Sequence, residues 1–155
     1  MSTIDLSKPN RDTTLLAPFF QNRLLLALNE AHDLGYPIAI FEAYRSPDRQ
    51  QYLWEQGRTR PGKKVTFARA GESAHQLCVA SDLAFWDGRK WSWDGPWEKV
   101  HSVFENFGFE TLDFEKAHVQ ILGGLTMREA NKIAKDQSML ALWNVIEMRL
   151  KKQGS

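Results

Sequence analysis

The residues of this chain most able to bind a metal or move a proton are concentrated in two short stretches. His75 closes a long polar segment, and Asp82 lies seven residues on, inside a run that reads as a strand. His118 opens a later strand, three residues after Glu115. Side chains alternate between the two faces of a strand. In the run 79–85, Val79, Leu83 and Phe85 therefore share a face expected to be core, while Ala80, Asp82 and Ala84 share the other. The small alanines leave the carboxylate room for a ligand. His118, Gln120 and Leu122 likewise share a face, with Val119 and Ile121 opposite. Two imidazoles and one carboxylate suit Zn²⁺, and three protein ligands with a fourth position open to water form the catalytic rather than the structural arrangement. The helical H-E-x-x-H motif and the H-x-E…P-C-x-x-C deaminase pattern are both absent. Spacing alone leaves a second reading open, in which Asp82 is an ordinary carboxylate on an edge strand. The other two histidines, His32 and His101, fall on expected surface helices and read as solvated or packing residues.

The elements that must position these groups follow from periodicity. Phe20, Leu24, Leu28 and Ala31 recur at helical spacing from Pro18 to Leu34, and Gly35 stops the helix. Residues 38–44 read as a strand. Ser46 and Pro47 open a helix to about Gln56, stopped by Gly57. Residues 58–74 form a polar loop long enough to suggest function. A strand at 79–86 is followed by an Asp87-Gly88 turn and a returning strand at 89–93. A helix at 96–107, short strands at 109–112 and 118–122, a helix opened by the Thr126…Glu129 capping box, and a last helix over 137–151 complete the order. In the last helix Met139, Trp143, Ile146 and Leu150 share a face. The expected fold class is α+β: a small, mainly antiparallel sheet flanked by helices, with a C-terminal helical pair. Residues 1–155 are expected to form a single domain, and residues 1–17 to be irregular.

Composition narrows the function. At 155 residues, 43% hydrophobic and 25% charged, the chain reads as one ordinary globular domain. A net charge of +1 gives no electrostatic footprint for nucleic acid. The lone Cys78 excludes an intrachain disulfide framework and a multi-cysteine zinc site. No apolar run is long enough to span a membrane, and the first fifteen residues lack the apolar stretch of a signal peptide. The expectation is a monomer without an export signal of its own, located in the cytoplasm, with no membrane or nucleic-acid partner. Trp86, Trp91, Trp93 and Trp97 fall within twelve residues. They read either as an aromatic-packed hairpin and helix start or as a surface lining a groove for an extended ligand.

Residues 44–83 resemble the VanY-like zinc peptidases of peptidoglycan. Tyr44, Arg45, Ser46 and Gln50 match a Y-R-S-x-x-x-Q pattern, and Leu53, Gln56, Gly57, Arg58 and Thr59 match L-x-x-Q-G-R-T. Pro61, Gly62, Val65 and Thr66 match P-G-x-x-V-T. Ser73, His75, Ala80 and Asp82 match S-x-H-x-x-G-x-A-x-D, and Glu115 and His118 match an acid-x-x-His motif. The resemblance covers residues 44 to about 122. Its Q-G-R-T-x-P-G portion is most similar to the L-alanyl-D-glutamate endopeptidases of the group. In two places the chain departs from the pattern. Cys78 stands where the family has a glycine, and Gly108–Phe114 replaces a Trp-Gly-Gly-like stretch.

The resemblance implies a zinc peptidase core over 18–122, with a helical extension at 126–151. It implies His75, Asp82 and His118 as zinc ligands and Glu115 as catalytic base, with Asp113 the rival acid. Arg45 would contact substrate and steady the developing oxyanion. Gln50 would brace Arg45 or bind substrate, and Ser73 would orient a ligand or the substrate. The implied partner is a peptidoglycan stem peptide. The implied setting is an endolysin that reaches the wall after release, if the chain is phage-encoded. Two alternatives stand beside it: a D-alanyl-D-alanine carboxypeptidase, and a zinc-binding module without catalysis of the Hedgehog type. Five cations between Arg58 and Arg69 read as a solvated loop or a docking surface for anionic wall polymers.

Overall fold

A computed structural model describes residues 5–154. Helix α1 (Pro18–Asp33) begins with Pro18 at its first turn and buries Phe20, Leu24, Ala27 and Ala31. It turns out of the helix at Gly35, whose φ of +91° is unfavourable for residues bearing a Cβ. The ring of His32 then bonds the Ile38 carbonyl at 2.6 Å, tying the helix end to strand β1 (Ile38–Glu42). Of the irregular stretch expected at the N-terminus, residues 1–4 lie outside the described residues, and Thr13–Leu15 form a short 3₁₀ turn.

Strand β2 (Ala80–Trp86) is the centre of the molecule. It pairs antiparallel with β1 on one side and with β5 (His118–Gln120) on the other. Strand β4 (Glu110–Thr111) extends the sheet beyond β5, and β3 (Trp91–Ser92) returns against the far end of β2. The Asp87-Gly88 turn makes that return, its Asp87 carboxylate accepting from the backbone N–H groups of Arg89 and Lys90. The fold is α+β with a five-stranded antiparallel sheet. Asp82 is therefore not on an edge. Its strand is flanked on both sides, and Ala80, Ser81, Leu83 and Ala84 are all fully buried, so both faces of the sheet are covered.

Several strands are shorter than alternation suggests. Strand β1 ends at Glu42, because Ala43 gives its N–H to Asn10 rather than to the sheet. A register shift between Ile40 and Glu42 places Glu42 opposite Asp82. Helix α2 (Pro47–Glu55) follows, its first turn capped by the Ser46 hydroxyl, which accepts from the Arg49 N–H.

Helix α3 (Trp97–Glu105) packs against α1 and presses Trp97, Val100 and Phe104 into the core. Helices α4 (Met127–Asp136) and α5 (Met139–Gln153) form the C-terminal pair. Leu142, Ile146 and Leu150 of α5 join the main hydrophobic cluster, and the Trp143 indole donates to the Leu77 carbonyl at 3.0 Å. The pair thus backs the segment that carries His75. Among the described residues, no helix is long and apolar enough to cross a membrane.

Candidate metal centre and its cavity

Three elements bring His75, Asp82 and His118 together. Asp82 and His118 are cross-strand neighbours in the β2–β5 ladder. His75 comes from a 3₁₀ turn, Ala74–Leu77, with a reciprocal cap: Ser73 accepts from the turn, and the Gln76 side chain accepts from the Ser73 N–H. That turn is released into β2 by Cys78 at φ +64°, the one non-glycine residue with positive φ among the described residues. The family's glycine at this point is thus explained, since an L-residue there is strained. Cys78 is not part of the cluster, and burial pushes its thiol up to about 11, so it stays protonated at neutral pH.

The donor set fits a tetrahedral zinc ion. Ligand atoms at about 2.0–2.1 Å from such an ion stand roughly 3.3 Å from one another. Asp82 Oδ1 lies 3.2 Å from His75 Nε2 and 3.6 Å from His118 Nδ1, and all three atoms lie within 4.8 Å of one another. Partners on the outer side of each ligand leave the right atom free. His75 Nδ1 faces the Ala43 carbonyl at 3.3 Å, which selects the tautomer with a lone pair on Nε2. His118 Nε2 faces Gln120 Oε1 at 2.8 Å, leaving Nδ1 for a metal. Arg45 donates to Asp82 Oδ2 at 2.5 Å, leaving Oδ1.

The charges follow the same logic. Burial, helped by the positive charge of Arg45, holds the His75 imidazole below its usual range and so neutral, as a ligand must be. Burial alone would raise the Asp82 carboxyl. The surrounding His75, Arg45 and His118 side chains outweigh it and hold Asp82 well below the carboxylate range. Burial opposes protonation of His118, but hydrogen bonding and attraction to Asp82 prevail, so its ring titrates above the ordinary value.

A residue with no obvious signal in the sequence supports this cluster. Glu42 is 1% exposed. It accepts from Arg45 Nε and Nη2 at 2.9 and 2.7 Å, and from Arg49 Nε and Nη2. Its position three and seven residues before two arginines, inside an apolar strand, was the available clue. Gln50 is fully buried, accepts from Arg45 Nη1 at 3.1 Å and donates to Thr66 Oγ1 and the Ala68 carbonyl. Ser73 caps the His75 turn. Neither Gln50 nor Ser73 lines the cavity described next.

The cluster opens into a cavity of about 400 Å³. Arg45, Arg49 and Phe41 line it, and the more exposed Trp93, Phe114, Glu115 and Val65 contribute to its rim. Glu115 Oε2 is 4.0 Å from His118 Nδ1, beside the cluster but outside it. Asp113 is exposed and does not line the cavity. Three successive carbonyls fix the turn that carries Glu115. Those of Glu115 and Ala117 accept from the His118 and Leu83 N–H groups. That of Lys116 bonds His101 Nε2 at 2.7 Å. His101 is therefore a buried anchor of this turn, a role that only the tertiary fold reveals. The basic loop is also more ordered than its charge suggests. Arg58 and Arg69 both lie over the Trp54 ring, and Arg60 over Tyr52; Arg58 and Arg60 are thereby half-buried, while Lys63, Lys64 and Arg69 stay exposed.

Fold and site together define an α+β chain built round a buried His–Asp–His cluster. The model of the VanY family, D-alanyl-D-alanine carboxypeptidase, matches residues 14–123, and the chain belongs to that family. The peptidoglycan L-alanyl-D-glutamate endopeptidase CwlK of Bacillus subtilis (strain 168) is 35% identical over 94 residues, covering 52% of this chain and 54% of that protein. The chain thus spans about half the length of this relative. Two solved structures share the fold at low identity. The L-Ala D-Glu endopeptidase ChiX of Serratia marcescens superposes with a TM-score of 0.54 at 18% identity, covering 77% of this chain and 86% of its own. The D,D-pentapeptidase VanY from a VanB-type resistance cassette, in complex with Zn(II), gives 0.55 at 16% identity, covering 83% of each chain.

Proposed function

We propose that this protein is a zinc-dependent peptidase of peptidoglycan that hydrolyses the L-alanyl-D-glutamate bond of the stem peptide. The observation that carries the reading is the convergence of His75 Nε2, Asp82 Oδ1 and His118 Nδ1 at tetrahedral spacing, with Glu115 beside them in one cavity. His75, Asp82 and His118 would hold the ion, which supplies Lewis-acid polarisation and activation of water at neutral pH.

The protein's own groups do the rest. Glu115, half-exposed on the cavity wall, takes the proton of the attacking water and returns it to the leaving amine. Its turn is anchored at three carbonyls, so the carboxylate is held rather than left to search. Arg45 spends four of its five N–H groups on Glu42, Gln50 and Asp82. The fifth is available to a substrate oxygen gaining negative charge, the role such a fixed guanidinium fills best. Retention of Glu115 and Arg45 at the cluster favours an enzyme over a zinc-binding module without catalysis.

The likeness to an L-alanyl-D-glutamate endopeptidase favours that bond over a terminal D-alanine. Digestion of purified peptidoglycan by the zinc-loaded protein, read by mass spectrometry, tests the reading. New L-alanine carboxyl and D-glutamate amino ends are expected. Loss of a single terminal D-alanine would replace it with the carboxypeptidase.

A further inference from the structure

The catalytic cavity does not end at Trp93. Beyond it the surface dips again, into a depression of about 380 Å³ lined by Trp93, Asp94, Gly95, Trp97, Lys116 and Ala117. Trp93, Lys116 and Ala117 line both hollows, so the indole stands at the passage between them. We propose that Trp93 and this depression form a second subsite that binds the N-acetylated amino-sugar ring to which the stem peptide is attached. The inference rests on the endopeptidase reading and specifies which part of the substrate the groove takes beyond the scissile bond.

Trp93 is 51% exposed, yet it is immobilised. Its carbonyl accepts from the Trp97 indole N–H at 2.7 Å, and its ring meets Phe41 edge-on with centroids 4.7 Å apart. Two residues on, Gly95 lies against Phe85 so closely that an added Cβ would come within 2.3 Å of the ring. Nothing larger than glycine fits there, and the segment 93–97 is pinned at both ends. A half-exposed aromatic that is already ordered binds without paying for its own immobilisation. The indole face is apolar and electron-rich, the surface on which the C–H groups of a pyranose ring stack. The exposed Asp94 and Lys116 beside it offer an acceptor and a donor to hydroxyl and acetamido groups.

The lining of the two hollows sets the direction. Arg45 and Arg49 line the first hollow but not the second, whereas Trp93 lines both. Around the L-alanyl-D-glutamate bond, the glutamate side bears a free carboxylate, whereas the alanine is joined through a lactyl ether to an uncharged sugar ring. The carboxylate matches the arginines of the first hollow, and the sugar falls to Trp93 and the second, one residue from the cut. For a terminal D-alanine the sugar would be several residues away and would not reach this depression.

Two substrates separate the possibilities: N-acetylmuramyl-L-alanyl-γ-D-glutamyl-L-lysine, and the same peptide with acetyl in place of the muramyl group. The ratio of their kcat/KM values is read for the parent, Trp93→Ala and Trp93→Phe. The parent should prefer the muramyl substrate by roughly tenfold, the scale of a stacked aromatic contact. Trp93→Ala should collapse that ratio to about twofold or less, and Trp93→Phe should keep most of it. Because the ratio is taken within one protein, partial misfolding does not mimic the effect. Equal kcat/KM values for the parent, or an unchanged ratio in Trp93→Ala, would overturn the sugar subsite while leaving the endopeptidase intact. Cleavage of neither substrate at the alanyl-glutamate bond would overturn the endopeptidase reading and this inference with it.

Discussion

The buried cluster and the rim of its cavity are built on opposite principles. In the cluster each ligand has an outer partner: Ala43 for His75, Gln120 for His118 and Arg45 for Asp82, with Glu42 and Gln50 behind Arg45. At the rim, Phe114 is 77% exposed, Val65 and Trp93 are about half exposed, and Glu115 is held through its backbone rather than its side chain. The groups proposed to bind a metal are fixed by side-chain hydrogen bonds in a low dielectric. The groups proposed to meet a substrate are carried on pinned backbone, with their faces left open. A change in the first region should therefore disturb the fold and the metal together, whereas a change in the second should disturb turnover alone.

The sharpest break is at Glu42. Glu42→Ala leaves the guanidinium groups of Arg45 and Arg49 buried without their carboxylate. Removal of one partner from a buried ion pair costs about 3–5 kcal/mol. Denaturant unfolding should show a loss of that size together with weakened zinc binding. A loss under about 1 kcal/mol would mean that the arginines find other partners.

Glu115→Ala is the corresponding break at the rim. It should retain zinc and the parent's stability, while catalysis falls at least about 10²-fold, the usual contribution of a positioned general base. Asp113→Asn, on an exposed residue outside the cavity, should stay within a few-fold of the parent in the same muropeptide assay. The reverse pattern would assign the base to Asp113.

The proton held by His118 sharpens the comparison further. In the metal-free protein that ring titrates above its ordinary value, while His75 is already neutral and Asp82 already ionised at neutral pH. Below that raised value, zinc must displace one proton from His118. Affinity should therefore be level above the raised His118 value and fall by about an order of magnitude per pH unit below it. Chelator competition across pH measures this, and a slope of two would mean that His75 is also protonated.

The smallest expected effect is at Cys78. A left-handed conformation costs an L-residue about 1–2 kcal/mol, and glycine gives back roughly 0.5–1 kcal/mol in chain entropy. Cys78→Gly should raise stability by no more than about 1 kcal/mol and leave zinc affinity unchanged. A sharp fall in zinc affinity would make the thiol a ligand.

Much of this was legible in the sequence, because helix periodicity, capping residues and the Asp87-Gly88 turn act locally. The α+β class and the order of elements follow from them. Asp82 and His118 were placed on strands by alternation alone, but that they face each other across the ladder depends on register, which no local pattern states. Glu42 is not legible in this way, because the register shift that brings it opposite Asp82 is a property of the β1–β2 pair. Nor is His101, because its partner is a backbone carbonyl fifteen residues away. Arg58 and Arg60 read as solvated because stacking on Trp54 and Tyr52 leaves no mark in composition.

The central claim is that one zinc ion sits among His75, Asp82 and His118 and that the rim plays no part in holding it. Anomalous diffraction from crystals of the zinc-loaded parent and of Glu115→Ala, collected on either side of the zinc edge, tests it directly. The account predicts a single peak in both, about 2 Å from His75 Nε2, Asp82 Oδ1 and His118 Nδ1. A peak that vanishes in Glu115→Ala, or one that sits against the Cys78 sulfur, would contradict it.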